Sequence, residues 1–173
     1  DWLQKQKALV EQEKRDFQPL SLEENSSIAV LGTTYCIAKR GVEKILPFGD
    51  ALLLPFACTK DELIAWLEEQ LWSFLVERVK YYAALLGVQP TAVKLSAARS
   101  RWGSCNYHNV LHFTWHLAFC PPAIVDYVVV HELCHINNKS HDKKFWQQVA
   151  AILPDYKEQE KWLKTHRKVM DII

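Results

Sequence analysis

Apolar residues recur at helical spacing in the middle of the chain, from Leu63 to Leu86. Positions three and four apart lie on one face of an α-helix, so this spacing predicts a long helix with one face in the core. Thr59 and Glu62 form a capping-box pattern that predicts where the helix begins, and Gly87 predicts where it ends. The apolar positions are Leu63, Trp66, Leu67, Leu71, Phe74, Leu75, Val79, Tyr82 and Leu86.

Short apolar segments on both sides of this helix predict strands. Residues 28–31, 34–38 and 51–55 favour a small, twisted antiparallel sheet. After the helix, residues 93–97 and 110–117 predict two further strands. The second of these alternates between a core face and a face that either lines a cleft or meets solvent. The core face holds Leu111, Phe113, Trp115 and Leu117, and the other face holds Val110, His112, Thr114 and His116.

The two ends of the chain are predicted to be helical. Residues 2–17 are charged and helix-favouring, which indicates a surface helix or a disordered arm ahead of a linker at residues 18–27. Three helices are expected after residue 120, and the second of them has Ser140 or Asp142 as its cap. We therefore expect an α+β fold with residues 1–27 as an N-terminal helix and linker. Residues 28–173 would form one domain, in which a small antiparallel or mixed sheet packs on the long helix.

A candidate metal site lies in the first of these C-terminal helices. His131 and His135 are four residues apart, so both imidazoles lie on one helical face and can reach one ion. Glu132 is rotated by about 100° from His131, which places a carboxylate where it can take a proton from metal-bound water. We expect this side chain to point toward solvent in a cleft. The motif H-E-x-x-H is specific when it follows an apolar run, as it does here, and the alternative is a packed histidine pair.

His141 completes the pattern of a catalytic metal site. It follows His135 by six residues, the interval found in extended H-E-x-x-H-x-x-G-x-x-H zinc sites. Asn138 stands where that pattern has Gly, and Asn tolerates a positive φ better than other non-glycine residues. Three histidines leave a fourth position for water. We therefore expect one zinc ion per chain, on His131, His135 and His141, with Glu132 as general base.

The composition of the chain indicates which partners and which cellular location to expect. The chain has 173 residues, of which 49% are hydrophobic and 24% charged, and its formal net charge is +1. This composition gives no indication of a membrane surface or nucleic acid as partner. The five cysteines are scattered and lack C-x-x-C spacing, which favours a reducing, cytoplasmic location. No membrane span or signal peptide is visible. A basic face near the C-terminus is a solvated surface by default, with a nucleic-acid contact as the alternative.

Three blocks of the sequence together resemble a known family. Residues 100–105 (SRWGSC), 111–115 (LHFTW) and 125–135 (VDYVVVHELCH), followed by His141 and Phe145-Trp146, are similar to the YgjP-like metallopeptidase-domain family of bacterial, predicted metal-dependent hydrolases. The specific part of the resemblance covers residues 94–156. It implies a zincin-type α+β fold with zinc on the three histidines and Glu132 as general base. Related zincins of the SprT and WLM groups cleave proteins.

The sequence departs from the usual family pattern at a few positions. Ser140 and Asp142 flank the third histidine where the family usually has Asn and Ser. Thr114-Trp115-His116 stands for the family's Asn-Trp-Arg on the strand. Zinc binding should survive these changes, whereas the substrate contacts along the strand, at Thr114 and His116, can differ from those of the family.

Arg101 is the best candidate for stabilising negative charge on a substrate, and the alternative is that it pairs with a structural carboxylate such as Asp126. The favoured function is a zinc peptidase that acts on proteins or peptides. A hydrolase of nucleotide phosphoanhydrides is the main rival, because Arg99, Arg101 and Lys139 could gather around the same activated water. A third alternative is a zinc-stabilised binding module, which predicts no open coordination position.

Overall fold

The computed structural model of the chain describes residues 20–171. The helix expected over residues 2–17 lies outside this range, and the expected domain boundary at residue 27 stays a prediction. Within residues 20–171, two small sheets and four α-helices form an α+β fold, as the sequence predicts. The strands are β1 (Ser27–Val30), β2 (Thr33–Arg40), β3 (Leu46–Phe48), β4 (Ala51–Pro55), β5 (Ala92–Ser96), β6 (Gly103–Cys105) and β7 (Val110–Thr114). The helices are α1 (Lys60–Leu86), α2 (Pro122–Asn137), α3 (Lys143–Ile152) and α4 (Tyr156–Thr165).

The first sheet has the order β1-β2-β4-β3 and is mixed. The β1–β2 and β3–β4 pairs are antiparallel, but β2 and β4 run parallel, with Ile37 opposite Leu52. The expectation of an antiparallel sheet was therefore wrong at this pair. The chain leaves β2, turns back through β3 and enters β4 through a second turn at Gly49, where φ is +61°. These two reversals restore the direction of β2.

The long helix α1 confirms the prediction made from its apolar stripe. Thr59 accepts a hydrogen bond from the Glu62 backbone N–H, and the Glu62 carboxylate accepts one from the Thr59 backbone N–H, so the capping box is complete. At the other end Gly87 adopts a left-handed conformation with φ of +63°. The buried face contains Leu63, Leu67, Leu71, Leu75, Val79, Tyr82 and Ala83. The helix α2 and the strand β5 are among the elements that pack against α1, as expected for a helix with one apolar face.

The second sheet has the order β5-β7-β6, so β6 lies at an edge with β7 as its strand neighbour. The strand expected over residues 110–117 ends at Thr114, and a 3-10 helix, Trp115–Phe119, follows it. All five residues of this helix are buried. The alternation therefore fails from Thr114 onward, because Thr114 is itself buried and α1 and β1 pack against the 3-10 helix that follows it. The Trp115 and His116 rings stack with centroids 4.2 Å apart.

The helix α2 is the central element of the C-terminal half, and it packs against α1, β6, α3 and α4. One ion pair ties it to α1: Arg78 donates from Nε and Nη2 to the two carboxylate oxygens of Asp126, over 2.6 and 2.7 Å. Asp126 is therefore paired with Arg78 and not with Arg101, for which the sequence suggested it as an alternative partner. Within residues 20–171 no helix combines the length and apolar character that crossing a membrane requires.

Candidate metal centre

Three histidines converge at the C-terminal end of α2. His131 and His135 lie on one face of the helix, with ring centroids 5.0 Å apart. His141, in the segment after α2, brings its Nε2 to 3.0 Å from Nε2 of His131. One ligand atom of each of the three rings lies within 4.8 Å of the others. The structure thus brings together the three residues that the sequence predicts as metal ligands, in an arrangement that can hold one ion.

A short hydrogen-bonded turn presents His141. The Asn138 side chain accepts from the Ser140 backbone N–H over 3.0 Å and donates to the Asp142 carboxylate over 2.7 Å. Asp142 in turn caps α3 by accepting from the Phe145 N–H. Asn138 has φ of −144°, so the expected positive φ at this position was wrong. The turn depends on the Asn138 side chain as a hydrogen-bonding group rather than on a left-handed backbone.

Phe145 forms a common floor under the three histidines. Its ring centroid lies 5.0 Å from His131, 4.6 Å from His135 and 4.8 Å from His141. The side chain is fully buried. Because Phe145 is the third residue of α3, the Asp142 cap that fixes this helix also fixes the floor. In the sequence, Phe145 stands out only as part of the family resemblance, and its contact with all three rings is visible only in the structure.

Burial favours the neutral form of His131 and His135, which is the form that binds metal. It lowers the pKa of His131 to about 3, and the neighbouring His135 and His141 add to this effect. Burial also lowers the pKa of His135, against the opposing effect of a hydrogen bond from Nδ1 to the Asn138 carbonyl over 3.0 Å. That bond fixes the proton on Nδ1 and leaves Nε2 of His135 available as a ligand. Nδ1 of His131 is buried without a hydrogen-bond partner among the described residues.

Glu132 is enclosed rather than exposed, which corrects the expectation that its side chain points toward solvent. The residue is 6% exposed. Burial raises the pKa of its carboxyl to about 8, although the Arg101 and Lys139 cations act in the opposite direction. The α-carbon of Gly103 in β6 packs directly against this carboxylate. A carboxyl group with its pKa near neutrality can accept and return a proton under physiological conditions.

An open cavity of about 710 Å³ lies over the cluster. The three histidines, Glu132 and β6 line it, together with Arg101, His112 and Lys139. Arg101 thus lies where the sequence predicts a substrate contact. Thr114 and His116 do not line the cavity and are each 1% exposed. Their predicted role in substrate binding finds no support, because the Thr114 hydroxyl donates to the Ala98 carbonyl and faces Nδ1 of His116 inside the core.

Lys139 is held at the rim of this cavity by the turn between β6 and β7. Its ammonium group donates to the Asn106 carbonyl and the Asn109 amide oxygen, each over 2.9 Å, and lies 3.3 Å from Sγ of Cys105. Three partners leave this cation little capacity for a further anion. Lys139 therefore acts chiefly as a tie between the β6–β7 turn and the segment that carries His141.

Comparison with known proteins identifies the family. A family model described as "YgjP-like, metallopeptidase domain" matches residues 1–166. The chain belongs to the YgjP-like family. Membership of a metallopeptidase-domain family assigns this YgjP-like chain to metal-dependent hydrolases of the peptidase type, in agreement with the histidine cluster.

Curated proteins and solved structures give less information about this chain than the family model does. No curated protein matches the YgjP-like chain. A solved structure described as the crystal structure of the metallopeptidase zymogen of Pyrococcus abyssi abylysin is similar, with 18% sequence identity and a TM-score of 0.49, over 53% of this chain and 92% of that one. At this level of similarity no conclusion about activity follows.

Proposed function

We propose that the chain is a zinc-dependent peptidase in which His131, His135 and His141 hold one zinc ion and Glu132 is the general base. The observation that carries the proposal is the position of Glu132. Its carboxyl lines the same open cavity as the three histidines, and burial raises its pKa to about 8. A carboxyl group that served only structure would find a fixed hydrogen-bonding partner in the fold, whereas this one faces a cavity beside the cluster.

The donor set fits zinc better than other common metals. Three neutral imidazoles with one open position are typical of catalytic zinc sites, whereas magnesium and calcium prefer oxygen ligands. One ligand atom of each histidine lies within 4.8 Å of the others, with 3.0 Å between Nε2 of His131 and Nε2 of His141, so the three imidazoles can converge on one ion. The open cavity argues against a purely structural zinc module, which would close its fourth position.

Different residues of the chain have different roles in hydrolysis of the peptide bond. When bound, a zinc ion would supply a Lewis acid that polarises the scissile carbonyl and acidifies water in the open coordination position. Glu132 takes the proton from the attacking water and then delivers it to the leaving nitrogen. Arg101 stabilises the negative charge that develops on the substrate, because its cation lies close enough to lower the pKa of Glu132. The edge strand β6 offers backbone groups with which an extended peptide can pair.

The nucleotide-hydrolase alternative needs several available cations around the histidines. Among the described residues, Arg101 and Lys139 are the lysine and arginine side chains that line the cavity. Lys139 is already held by Asn106 and Asn109, and Arg99 does not line the cavity. Protein or peptide is therefore the substrate that the site supports better.

The proposal is tested by replacing Glu132 with Gln. This variant keeps the size of the side chain but cannot accept a proton, so we expect peptide hydrolysis to fall by roughly 10²–10⁴-fold while zinc content stays at one ion per chain. Glu77→Gln, the same change at an exposed position of α1, is the control and should retain full activity. Equal activity of the Glu132 variant and wild type would refute the role of Glu132, and loss of zinc together with activity would make Glu132 structural.

We also propose a cytoplasmic location, supported by the chemistry of the cysteines. All five thiols are free, and three of them, Cys58, Cys120 and Cys134, are buried. Thiol titration of the denatured, unreduced protein isolated from its native host should count five free groups. Two or more missing thiols would place the chain in an oxidising compartment.

A further inference from the structure

A second cavity shares Glu132 with the first. It has a volume of about 390 Å³ and is formed between α2, α4 and the loop that precedes β6. His131, Glu132, Arg101 and Gly103 line both cavities, so the two are continuous with the same candidate catalytic groups. Its volume falls in the range of pockets that bind small organic groups.

Part of the wall of this second cavity is apolar. Val128 of α2 and Leu163 of α4 contribute to it, together with Met170 and the ring of Trp102. Val128 is 3%, Leu163 9% and Met170 1% exposed, so these side chains are held in place by the core behind them. A wall fixed in this way keeps its shape when a ligand enters, which favours binding of an apolar group.

Three of the charged side chains that line the second cavity are engaged with other protein groups. Lys164 pairs with Glu160 over 2.6 Å, and Arg167 donates to the Ser100 carbonyl over 3.5 Å. Arg101 remains at the boundary with the first cavity, close to Glu132. With these charges engaged, Trp102, Val128, Leu163 and Met170 offer an apolar surface, which suits a hydrophobic side chain attached to a polar peptide backbone.

We propose that this cavity is the specificity pocket of the enzyme and binds a large apolar side chain, of leucine, methionine or phenylalanine type, from a residue that flanks the scissile bond. The inference rests on the proposed peptidase function. The peptide backbone crosses the histidine cluster along β6, and the flanking side chain enters between Trp102 and Leu163. Selection follows from the size of the space and from the apolar side chains of Trp102, Val128, Leu163 and Met170 that line it.

The first test is a cleavage profile. The zinc-loaded protein is incubated with a peptide library, and the residues on both sides of each cut are identified by mass spectrometry. One flanking position should favour leucine, methionine or phenylalanine over glycine or alanine by about 10-fold or more, as expected for several buried methylene groups. Leu163→Trp should fill the pocket and abolish this preference, and Leu163→Ala should enlarge it and shift the preference toward tryptophan. Leu85→Trp, at an exposed position of α1, should leave the profile unchanged.

The second test needs no turnover. N-acetyl-leucine amide and N-acetyl-alanine amide are titrated into the zinc-loaded protein while the indole N–H resonance of Trp102 is followed by NMR. The leucine compound should shift this resonance and the alanine compound should not, and Leu163→Trp should remove the difference. A selective shift without any peptide cleavage would retain the pocket and refute the peptidase function. A flat cleavage profile, an unchanged profile in both Leu163 variants, or equal shifts with the two amides would refute the pocket.

Discussion

The α-carbon of Gly103 lies against the carboxylate of Glu132. A Cβ atom at position 103 would stand 2.8 Å from both Cγ and Oε1 of Glu132, closer than non-bonded atoms approach. Gly103 belongs to the edge strand β6, and Glu132 belongs to α2. Glycine is therefore needed at this point of the strand so that the proposed general base can lie between β6 and the histidine cluster.

Gly103→Ala should displace the Glu132 carboxylate without removing it. We expect kcat to fall by about 10²-fold, the usual effect of moving a catalytic group by about 1 Å, while zinc content stays unchanged. Peptide hydrolysis and metal analysis on the same preparation check both parts. Because the added methyl group acts through the position of a base, the pH profile of kcat should also change.

Gly41→Ala is the matched control. Among residues 20–171, a Cβ atom there would meet the Phe56 ring alone, at 3.8 Å, which is an ordinary contact. This variant should keep wild-type activity. If Gly103→Ala also kept wild-type activity and the wild-type pH profile, the contact with Glu132 would have no catalytic meaning.

The parts of the site that depend on local spacing were predictable from the sequence. His131 and His135 share a helical face because of the period of the helix, and Asp142 caps α3 by local rules. The contact between Gly103 and Glu132 joins two elements that are distant in sequence, so no local pattern predicts it. The strand expected to continue to Leu117 ends at Thr114 for a related reason. Alternation indicates one exposed face, and whether that face is covered is decided by elements elsewhere in the chain.

His141→Ala should separate the third ligand from the other two. Since His141 is the exposed member of the cluster, its removal should not disturb the core. We expect zinc affinity to fall by more than about 100-fold, because removal of a ligand should weaken binding more than a change to a residue that only positions a ligand. Competition with a zinc chelator measures this. His112→Ala, which changes a histidine that lines the same cavity outside the cluster, should bind zinc as tightly as wild type.

His116 should make the stability of the metal-free protein depend on pH. Burial lowers its pKa to about 4, with a further contribution from the Arg99 cation, whereas the unfolded chain has an ordinary value near about 6.5. Between these two values the unfolded state binds the additional proton, so the free energy of unfolding decreases as the pH falls from about 6.5 to about 4. Above about 6.5 this contribution is complete, and its total is about 3 kcal/mol.

His116→Asn removes this titration and keeps a polar group beside Thr114. Denaturant unfolding of both metal-free proteins at several pH values gives two curves, and the difference between them isolates His116, because the effects of His131 and His135 are common to both. The wild type should lose about 3 kcal/mol more than the variant between pH 7 and pH 4. Parallel curves would show that His116 is protonated in the folded protein as readily as in the unfolded chain.

The pair between Arg78 and Asp126 should be the main polar link between α1 and α2. The two hydrogen bonds of 2.6 and 2.7 Å are bidentate, the Arg78 side chain is 30% exposed and that of Asp126 14%, and Nη2 of Arg78 also donates to the Tyr82 hydroxyl over 3.0 Å. Arg78→Ala would leave the Asp126 carboxylate largely enclosed and without this partner. We expect the free energy of unfolding to fall by about 2–3 kcal/mol, somewhat below the loss for a fully buried pair. Asp126→Ala and the double variant complete a cycle, and the coupling energy should be about 1–3 kcal/mol.

Lys164→Ala, which removes the exposed pair with Glu160 on α4, should cost about 0.5 kcal/mol or less and serves as the comparison. A coupling energy as small as that of the exposed pair would mean that apolar packing alone holds α2 on the long helix, and the histidine cluster would then depend on the core rather than on this ion pair for its position.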